Sequence, residues 1–520
     1  MPRVTLGSPR GRRTLARRVA LASLLAAAPL SLWALVGVDG PPQASAAAPA
    51  KAPAPAASLA ADLEAMINDA RWLSGSKVGV VVLDLESGAR LYERNPKVPL
   101  NPASNIKVVT TVAALGLLGP EARFGTEVYA AKDAVRGDAV QGDLYLIGGG
   151  DPGLVTEDLY NLAGDLRDQG IRKITGRVIV DSGYFDGDGL PPGFDQKDEF
   201  ARYRTPASAA SVNFNTFVVK MRPAAQVGGA ATHTVVPPVP MIKATTDVKT
   251  VAGRSDKVEV AHEVKDGALH LTFTGTIGVD HGTSSYRYPI SDAARYTGEL
   301  LALVLEQQGI KLAKHDVKLG AKPRGAEQLA IVRSAPLSVL IRSVNKLSNN
   351  YMAEQILRLV DTADEDGLPA SYAGALAKVR AYLEGASVDL TGFTMTNGSG
   401  LYDTNRITAE QLTRVLALAH DDFRVAADFL ASLPIAGAEG TLRRRMDEGA
   451  AARWVRAKTG TLDGVSSLSG YAGAPGRRRP IAFTILVNGF DSWKIGKVRR
   501  LQDAIAERIA AEAAGVPAAP

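Results

Sequence analysis

Apolar and polar positions first alternate over residues 77–94, which is the pattern of a β-hairpin. An apolar run over residues 78–83 is followed by the pair Ser87-Gly88 and then by a second β-like run. Ser-Gly between two such runs is typical of a tight turn. The sequence therefore predicts two antiparallel strands in this region.

The next apolar segment has the spacing of a helix. Pro102 stands in its first turn and Gly119-Pro120 closes it, as these residues commonly do at the two ends of a helix. Its apolar positions lie on nearly every face, and they are Ile106, Val108, Val109, Val112, Leu115, Leu117 and Leu118. A helix that is apolar all round is normally buried, so we expect this one at the centre of the fold.

Residues 125–325 have a different texture, in which short β-like runs alternate with Gly, Pro and Asp turns. The runs are Leu144–Ile147, Arg177–Val180, Phe217–Met221, Val258–Val264 and Leu269–Phe273. We interpret this stretch as one or two inserted β-rich domains. Three glycines at 148–150 have the composition of a phosphate loop, but no Lys-Ser/Thr follows them, so a tight turn is the better interpretation.

Helical periodicity returns after residue 330, and strands and a last helix follow. The predicted helices are 336–347, 351–362, 370–383, 409–418 and 494–514, and the predicted strands are 452–462, 466–471 and 481–487. The early hairpin and the three late strands can form one antiparallel sheet, with helices packed against it. The sequence thus predicts an α/β fold of the α+β kind that carries a β-rich insertion.

The first 46 residues have the three parts of a secretory signal peptide. Arginine-rich residues 1–18 lead into the apolar stretch 19–38, and Ala44-Ser45-Ala46 offers a small-residue cleavage site. An uncleaved membrane anchor is the alternative, because about 20 apolar residues can span a bilayer. Either interpretation predicts that the rest of the chain is exported and works outside the cytoplasm.

These patterns divide the chain into four parts. Residues 1–46 are the predicted signal peptide, and residues 47–58 form an Ala/Pro-rich linker that cannot build a core. Residues 59–124 and 326–515 form one split domain. Residues 125–325 form the insertion between its two halves.

The net charge of +6 does not indicate a nucleic-acid-binding protein, because the excess lies in the leader. Residues 1–46 hold six arginines and one acid, which leaves 54 basic and 53 acidic residues in the remainder. The chain has no cysteine, which excludes disulfides, thiolate metal sites and a cysteine nucleophile. Its six histidines are scattered, so the sequence predicts neither a metal nor a cofactor.

Ser104 and Lys107 are the first candidates for chemistry. Without cysteine or clustered histidine, a serine nucleophile needs another base, and lysine can serve. The two residues are three apart and share a helical face, and the positive end of the helix dipole favours an anion at Ser104. Burial lowers the pKa of a lysine, so a buried Lys107 can accept a proton. Ser-x-x-Lys also occurs at Ser74 and Ser343, so this spacing alone is weak.

Two further tripeptides place polar side chains in notable positions. Residues 348–350, Ser-Asn-Asn, lie in the break between two predicted helices, where they can face a cleft or simply cap the second helix. Residues 458–460, Lys-Thr-Gly, lie inside a predicted strand. Glycine there indicates either a close approach to the backbone or an ordinary bend.

The order Ser-x-x-Lys, Ser-x-Asn, Lys-Thr-Gly resembles the penicillin-recognising serine enzymes, which comprise penicillin-binding proteins and serine β-lactamases. About 240 residues separate Ser104 from Ser348. Further matching motifs are Gly148-Gly149-Gly150-Asp151-Pro152, Val180-Asp181-Ser182, Ser211-Val212-Asn213-Phe214-Asn215, Asn397-Gly398-Ser399-Gly400-Leu401 and Gly437-Ala438-Glu439-Gly440-Thr441-Leu442. Together they resemble the low-molecular-mass class C penicillin-binding proteins, which are D-alanyl-D-alanine carboxypeptidase/endopeptidases, over roughly residues 60–515. The resemblance implies a five-stranded antiparallel sheet with helices on both faces, and β-rich inserted domains.

The resemblance also implies a catalytic role for three side chains. Ser104 would be the acylated nucleophile, and Lys107 would deprotonate it. Ser348 would relay a proton to the leaving D-alanine. The oxyanion would be held by the backbone N–H groups of Ser104 and Thr461.

The remaining residues of the motifs are implied to bind the substrate. Asn350 would hold the substrate amide, and Lys458 and Thr459 would bind the terminal carboxylate. The charge of Lys458 would also help to keep Lys107 neutral. The strand would pair with the stem peptide by β-addition, and a side chain at Gly460 would block that approach.

The implied partners are peptidoglycan stem peptides as substrates and β-lactams as covalent inhibitors, with at most peripheral membrane contact. Two alternatives stay open, a serine β-lactamase and a catalytically silent scaffold that binds muropeptides. One departure concerns specificity: Gly-Ser-Gly-Leu is usually followed by Ser-Arg in such proteins, whereas Tyr402-Asp403 follows here. Arg406, three residues further on, is a possible substitute for that arginine.

Overall fold

The computed structural model describes residues 58–364 and 369–515. The predicted signal peptide and nearly all of the predicted linker lie outside these residues. Ser58, the last residue of that linker, accepts a hydrogen bond from the N–H of Ala61 at 3.3 Å and caps the first helix. This hydrogen bond satisfies one of the free N–H groups at the start of the helix.

Ten α-helices are present in these two ranges. They are α1 (Leu59–Asp69), α2 (Ile106–Leu118), α3 (Thr156–Asp168), α4 (Ala293–Gln307), α5 (Leu337–Lys346), α6 (Asn350–Val360), α7 (Tyr372–Gly385), α8 (Ala409–Asp421), α9 (Ala426–Ser432) and α10 (Ile495–Ala513). A short 3₁₀ turn, Ala103–Asn105, leads directly into α2. None of the helices in the described ranges is both long enough and apolar enough to cross a membrane.

The same ranges contain 21 strands, most of them short. They are β1 (Lys77–Asp84), β2 (Arg90–Arg94), β3 (Gly125–Ala130), β4 (Val135–Arg136), β5 (Ala139–Val140), β6 (Leu144–Gly148), β7 (Lys173–Ile174), β8 (Val178–Asp181), β9 (Thr216–Arg222), β10 (Thr232–Val236), β11 (Ile242–Thr246), β12 (Lys249–Val251), β13 (Asp256–Lys265), β14 (Ala268–Gly278), β15 (Ser284–Pro289), β16 (Lys311–Leu312), β17 (Lys318–Leu319), β18 (Glu327–Arg333), β19 (Val455–Leu462), β20 (Val465–Ala472) and β21 (Ile481–Asn488).

One antiparallel sheet joins the early and late parts of the chain. Its strand order is β19-β20-β21-β1-β2, and Val81 of β1 lies opposite Thr484 of β21. Helices α1 and α10 pack against one face of this sheet, and α2 and α8 lie on the other. Both faces are therefore covered, which explains why β20 and β21 are buried along nearly their whole length.

Helix α2 lies in the centre of the helical layer. Every residue from Ile106 to Leu115 is buried, and α5, α6, α7 and α8 all contact the helix. The buried set includes the charged side chain of Lys107 as well as apolar residues. Since burying an unpaired charge is costly, this lysine needs either polar partners or a lowered pKa.

The insertion contains four smaller sheets. Their orders are β17-β8-β6-β3-β18, β16-β7-β5-β4, β10-β9-β15 and β11-β14-β12, with β13 paired to β14. Strand β18, at residues 327–333, pairs with β3 and lies just beyond residue 325, where the sequence predicts the insertion to end. Helices α3 and α4, which the sequence pattern did not predict, supply part of its core.

Candidate active site

Ser104 lies in the 3₁₀ turn that precedes α2, and strand β20 holds this turn in place. The hydroxyl of Ser467 donates to the carbonyl oxygen of Pro102 at 2.6 Å. The side-chain amide of Asn105 donates to the Oγ of Ser469 at 2.9 Å. The residue before Ser104 has a left-handed backbone, with φ 45°, a conformation that costs free energy and is found repeatedly at functional sites.

The Nζ atom of Lys107 has three close oxygen neighbours. It lies 3.0 Å from the Oγ of Ser104, 2.8 Å from the Oδ1 of Asn350 and 2.5 Å from the carbonyl oxygen of Ser399. Two of the three, the amide and backbone carbonyl oxygens, can only accept hydrogen bonds. The serine hydroxyl can donate as well as accept.

Burial lowers the pKa of Lys107 to about 7, and the negative charge of Glu354 opposes that shift. A neutral amine has two N–H groups and one lone pair. With the N–H groups directed to Asn350 and Ser399, the lone pair points to the hydroxyl of Ser104. The geometry therefore suits removal of the proton from Ser104 by Lys107.

The other two Ser-x-x-Lys matches have no comparable surroundings. Ser74 and Lys77 are both exposed to solvent. Lys346, which follows Ser343, forms an ion pair with Glu439. Lys77 is therefore open to solvent and Lys346 is paired with an acid, unlike Lys107.

The tripeptide at 348–350 both caps α6 and faces the site, with different residues doing each. The Oδ1 of Asn349 accepts a hydrogen bond from the N–H of Met352 at 3.1 Å and caps the helix. Ser348 has a left-handed backbone with φ 57°, and Asn350 contacts Lys107. The segment therefore has both of the expected roles. Asn349 caps the helix, and Ser348 and Asn350 face the site.

Lys458 is completely buried on β19 and approaches the second serine. Its Nζ donates to the Oγ of Ser348 at 2.9 Å and to the carbonyl oxygen of Thr459 at 2.7 Å. Burial lowers its pKa well below the ordinary value, and the nearby charge of Lys107 lowers it further. The charge of Lys107 therefore disfavours the charged form of Lys458, as expected for like charges in a buried site.

Gly460 allows β19 to pack tightly against the turn that carries Ser104. A Cβ at this position would lie 2.2 Å from the Oγ of Ser467, 2.8 Å from the carbonyl oxygen of Pro102 and 3.0 Å from the N atom of Ser104. The sequence interpretation gave this glycine a role in substrate approach. The nearest atoms belong to the chain itself, so the requirement for glycine already exists without substrate.

Thr459 and Thr461 are next to Gly460 on β19. The hydroxyl of Thr459 donates to the Oγ1 of Thr441 at 2.8 Å, and Thr441 belongs to the motif at residues 437–442. Thr461 is exposed and receives a hydrogen bond from Arg499 at 3.2 Å. Thr461 lies on β19, an edge strand of the sheet, and lines the same cavity as Ser104.

A cavity of about 800 Å³ opens beside Ser104. Asn350 and Thr461 line it together with residues 400–406 and residues 196–203, the last of which belong to the insertion. The side-chain amide of Asn350 also donates to the carbonyl oxygen of Tyr203 at 3.1 Å. The insertion therefore forms one wall of the cleft.

Sequence reasoning missed the contribution of Glu354. This buried carboxylate accepts hydrogen bonds from the N–H groups of Gly398 and Ser399 at 3.0 and 2.7 Å. It therefore holds in place the backbone of Ser399, the residue whose carbonyl oxygen contacts Lys107. Its spacing of four residues from Asn350 on one helix is the signal that points to it.

In the part of the chain that the structure describes, no cluster of three or more His, Cys, Asp or Glu side chains has the arrangement of a metal site. The polar groups around Ser104 are instead lysine, serine, asparagine and threonine. Such groups can move protons and bind an acyl group by hydrogen bonds.

Comparison with known families and relatives gives a consistent result. The profile of the D-Ala-D-Ala carboxypeptidase 3 (S13) family matches residues 59–511. The D-alanyl-D-alanine carboxypeptidase of Actinomadura sp. (strain R39) is 35% identical over 473 residues, which cover 86% of this chain and 84% of the relative.

Solved structures show the same architecture. The crystal structure of penicillin-binding protein 4 from Haemophilus influenzae matches with a TM-score of 0.74 and 23% identity, covering 86% of this chain and 98% of that protein. Its complex with a novel β-lactam matches with a TM-score of 0.70 and 24% identity, at the same coverage. The predicted fold class is thereby confirmed.

Proposed function

The chain belongs to the D-Ala-D-Ala carboxypeptidase 3 (S13) family, and from this premise we propose that it hydrolyses peptidoglycan stem peptides through an acyl-enzyme on Ser104. It is a low-molecular-mass class C penicillin-binding protein and a serine-type D-Ala-D-Ala carboxypeptidase, as the sequence predicts. The bond cleaved is the terminal D-Ala-D-Ala peptide bond. Crosslinks between D-alanine and a diamino acid are the second substrate class, which the enzyme would cut as an endopeptidase.

Acylation begins with transfer of the Ser104 proton to Lys107. The serine oxygen attacks the carbonyl carbon of the penultimate D-alanine, and the N–H groups of Ser104 and Thr461 hold the resulting oxyanion. One such donor contributes about 3 kcal/mol of transition-state stabilisation. Ser348, which accepts a 2.9 Å hydrogen bond from Lys458, passes a proton to the departing amine. It is resupplied with the proton that Lys107 took from Ser104, so Lys107 is neutral again before water attacks.

Hydrolysis of the acyl-enzyme restores the starting state. A water molecule attacks the ester carbonyl, and Lys107 accepts its proton as the new carboxylate forms. The serine oxygen leaves and regains a proton from the same amine. Each turnover thus produces a shortened peptide and free D-alanine, and it returns Lys107 and Ser348 to their starting protonation states.

The observation that carries this proposal is the set of partners around Lys107 Nζ. Its two pure acceptors, on Asn350 and Ser399, leave the lone pair for Ser104. A lysine that only balanced charge would instead be paired with a carboxylate, as Lys346 is with Glu439. The pKa of about 7 further supports a base that is available at neutral pH.

The amino-terminal sequence supports a site of action outside the cytoplasm. Residues 1–46 have the arginine-rich, apolar and small-residue segments of a secretory signal peptide. Stem peptides of the bacterial wall also lie outside the cytoplasmic membrane. We therefore place the mature enzyme in the periplasmic or equivalent extracytoplasmic space.

Covalent labelling with a fluorescent penicillin tests the nucleophile. The purified protein should acquire one label, found on the peptide that contains Ser104 by mass spectrometry. Ser104→Ala should abolish both the label and D-alanine release from a pentapeptide. Ser343→Ala changes the serine of another Ser-x-x-Lys match, whose lysine is paired with Glu439, and should leave both properties intact.

The same assays separate the alternatives. Label retained by Ser104→Ala contradicts the assignment of the nucleophile. Rapid turnover of a chromogenic cephalosporin, rather than stoichiometric trapping, would identify a β-lactamase. If the protein neither releases D-alanine from a monomeric pentapeptide nor cleaves a crosslinked muropeptide dimer, it is a catalytically silent scaffold.

A further inference from the structure

Arg499 contacts a residue that lines the catalytic cleft. It lies in the second turn of α10, and its Nη2 donates to the Oγ1 of Thr461 at 3.2 Å. Thr461 in turn lines the same cavity as Ser104. A guanidinium group is thus joined by one hydrogen bond to a hydroxyl that faces the substrate space.

No acid in the part of the chain that the structure describes forms an ion pair with this guanidinium. Burial and the charge of Arg445 lower its pKa, and the nearby charge of Asp503 opposes that shift. Among residues 58–364 and 369–515, no carboxylate oxygen lies within 4.0 Å of it. Asp503, one turn further along α10, pairs with Arg445 at 2.7 Å. Arg445 also donates to the backbone carbonyl of Arg499 at 3.4 Å, so a second cation borders the same segment.

Lys458, the other cation on this wall, is already engaged. Its Nζ donates to the Oγ of Ser348 and to a backbone carbonyl oxygen, and the group is completely buried. Burial, together with the charge of Lys107, lowers the pKa of Lys458 well below the ordinary value. A guanidinium, in contrast, stays protonated in proteins.

We propose that Arg499 determines specificity for substrates that end in a free carboxylate, acting through Thr461. The inference rests on the function proposed above. The Thr461 hydroxyl oxygen accepts a hydrogen bond from Arg499, so its own hydrogen points in another direction. Because Thr461 lines the cavity, that hydrogen can be directed to a substrate group there. A carboxylate at the end of the substrate can accept that hydrogen at about 2.7 Å. It then lies close enough to interact with the charge of Arg499.

This arrangement gives Arg499 a positioning role and a charge role. The positioning role is to orient the Thr461 hydroxyl, and the charge role is to favour an anion at that point. Both act on substrate binding more than on the chemistry at Ser104. The effect of removing Arg499 should therefore appear chiefly in KM.

The test compares two peptides that differ only at the carboxyl terminus. Both end in D-Ala-D-Ala, one with the free carboxylate and the other with the C-terminal amide. Arg499→Gln should lower kcat/KM for the free acid 10- to 100-fold, mainly through KM, and change that for the amide less than twofold. Arg499→Lys keeps a charge and should retain an intermediate value.

Arg500→Gln removes the adjacent arginine and is the matched control, expected to behave as wild type. Salt provides an additional readout, because ions screen an exposed charge interaction. Hydrolysis of the free acid should weaken with added salt in the wild type, and this dependence should be smaller in Arg499→Gln. Thermal unfolding of each variant monitors the fold.

The outcomes distinguish this inference from the function on which it rests. Equal losses on acid and amide in Arg499→Gln, or no loss on either, overturn the role of Arg499 while leaving the carboxypeptidase intact. An unchanged salt dependence in that variant does the same. A wild-type enzyme that cleaves neither peptide overturns the proposed function, and the inference with it.

Discussion

Glu354 and Lys107 are two completely buried ionisable residues that are linked by hydrogen bonds to the backbone of Ser399. The carboxylate of Glu354 accepts the N–H of Ser399 at 2.7 Å, and the carbonyl oxygen of the same residue accepts from Lys107 Nζ at 2.5 Å. The acid therefore acts on the lysine in two ways. It fixes the position of one acceptor, and its charge raises the pKa of Lys107 against the effect of burial.

Glu354→Gln should impair the site through both effects. The two carboxylate oxygens of Glu354 accept N–H groups from Gly398 and Ser399, whereas an amide presents an NH₂ group to one of them. Two donors then face each other, and the carbonyl of Ser399 must move. We expect the plateau value of kcat/KM to fall 10- to 100-fold and the pH midpoint to move to lower pH.

A pH profile of D-alanine release checks this prediction. Glu384→Gln is the control, since Glu384 is an exposed residue on α7. A profile of Glu354→Gln with unchanged midpoint and plateau would contradict the coupling. A midpoint at higher pH would show that the carboxylate does not stabilise the protonated lysine.

The wild-type enzyme should show a rising pH dependence of acylation. Burial lowers the pKa of Lys107 to about 7, and the lysine must be neutral to accept the proton of Ser104. Below this pH the amine carries its proton, so the rate of acylation should fall about tenfold per pH unit. Above it the rate should approach a plateau. Stopped-flow acylation by a β-lactam between pH 5 and 9 measures this midpoint, and a rate that still rises about tenfold per pH unit at pH 9 would contradict it.

The main elements of the split domain follow from the sequence. The apolar segment after Pro102 forms α2, and the predicted strand 481–487 is β21 at 481–488. Both are long apolar runs with clear boundaries, which is where periodicity is most informative. Helix α4 was missed because its buried face includes Thr297 and Glu299. Glu299 is satisfied by the N–H of Met241, a contact that only the folded insertion creates.

The active-site residues were predicted in part. The order of the three motifs brought Ser104, Lys107 and Lys458 into one hypothesis. In the structure, Lys107 contacts Ser104 and Lys458 contacts Ser348. The carbonyl oxygen of Ser399 has no signature in the sequence, because every residue has the same backbone carbonyl group whatever its side chain. Its importance depends on the loop at 397–400 and on Glu354, and thus on tertiary structure.

Gly460→Ala should damage both stability and catalysis. The added Cβ would meet the carbonyl oxygen of Pro102 at 2.8 Å and the N atom of Ser104 at 3.0 Å. These are backbone atoms, so the strand and the turn must separate. Overpacking of this kind costs about 1–3 kcal/mol in the free energy of unfolding, and it displaces the N–H of Ser104 from its position.

Denaturant unfolding and penicillin labelling together measure the effect of this substitution. Gly473→Ala is the control, because its Cβ would have no neighbour closer than 3.6 Å. We expect Gly460→Ala to be acylated at least tenfold more slowly than wild type at a temperature where it remains folded. Acylation at the wild-type rate would show that the packing of β19 against the turn is not required.

We expect the ion pair between Arg406 and Asp403 to influence which third side chain of the stem peptide the enzyme prefers. Arg406, the candidate substitute for the arginine of related sequences, lies on the cavity wall but is paired with Asp403 at 2.8 Å. The amide of Asn101 donates to the same oxygen at 2.8 Å. The guanidinium is therefore engaged by an acid of the chain and is not free to bind a carboxylate on the substrate.

Asp403→Asn should release Arg406 and change this preference. The ratio of kcat/KM for a stem peptide with a carboxylate on its third side chain, over one with a neutral side chain, should rise three- to tenfold. Competition between the two peptides, followed by mass spectrometry, measures that ratio directly. Asp422→Asn breaks a comparable ion pair with Arg424, away from the cavity, and should leave the ratio unchanged. An unaltered ratio in Asp403→Asn would mean that the third side chain does not reach Arg406, and that specificity lies with the residues of the insertion instead.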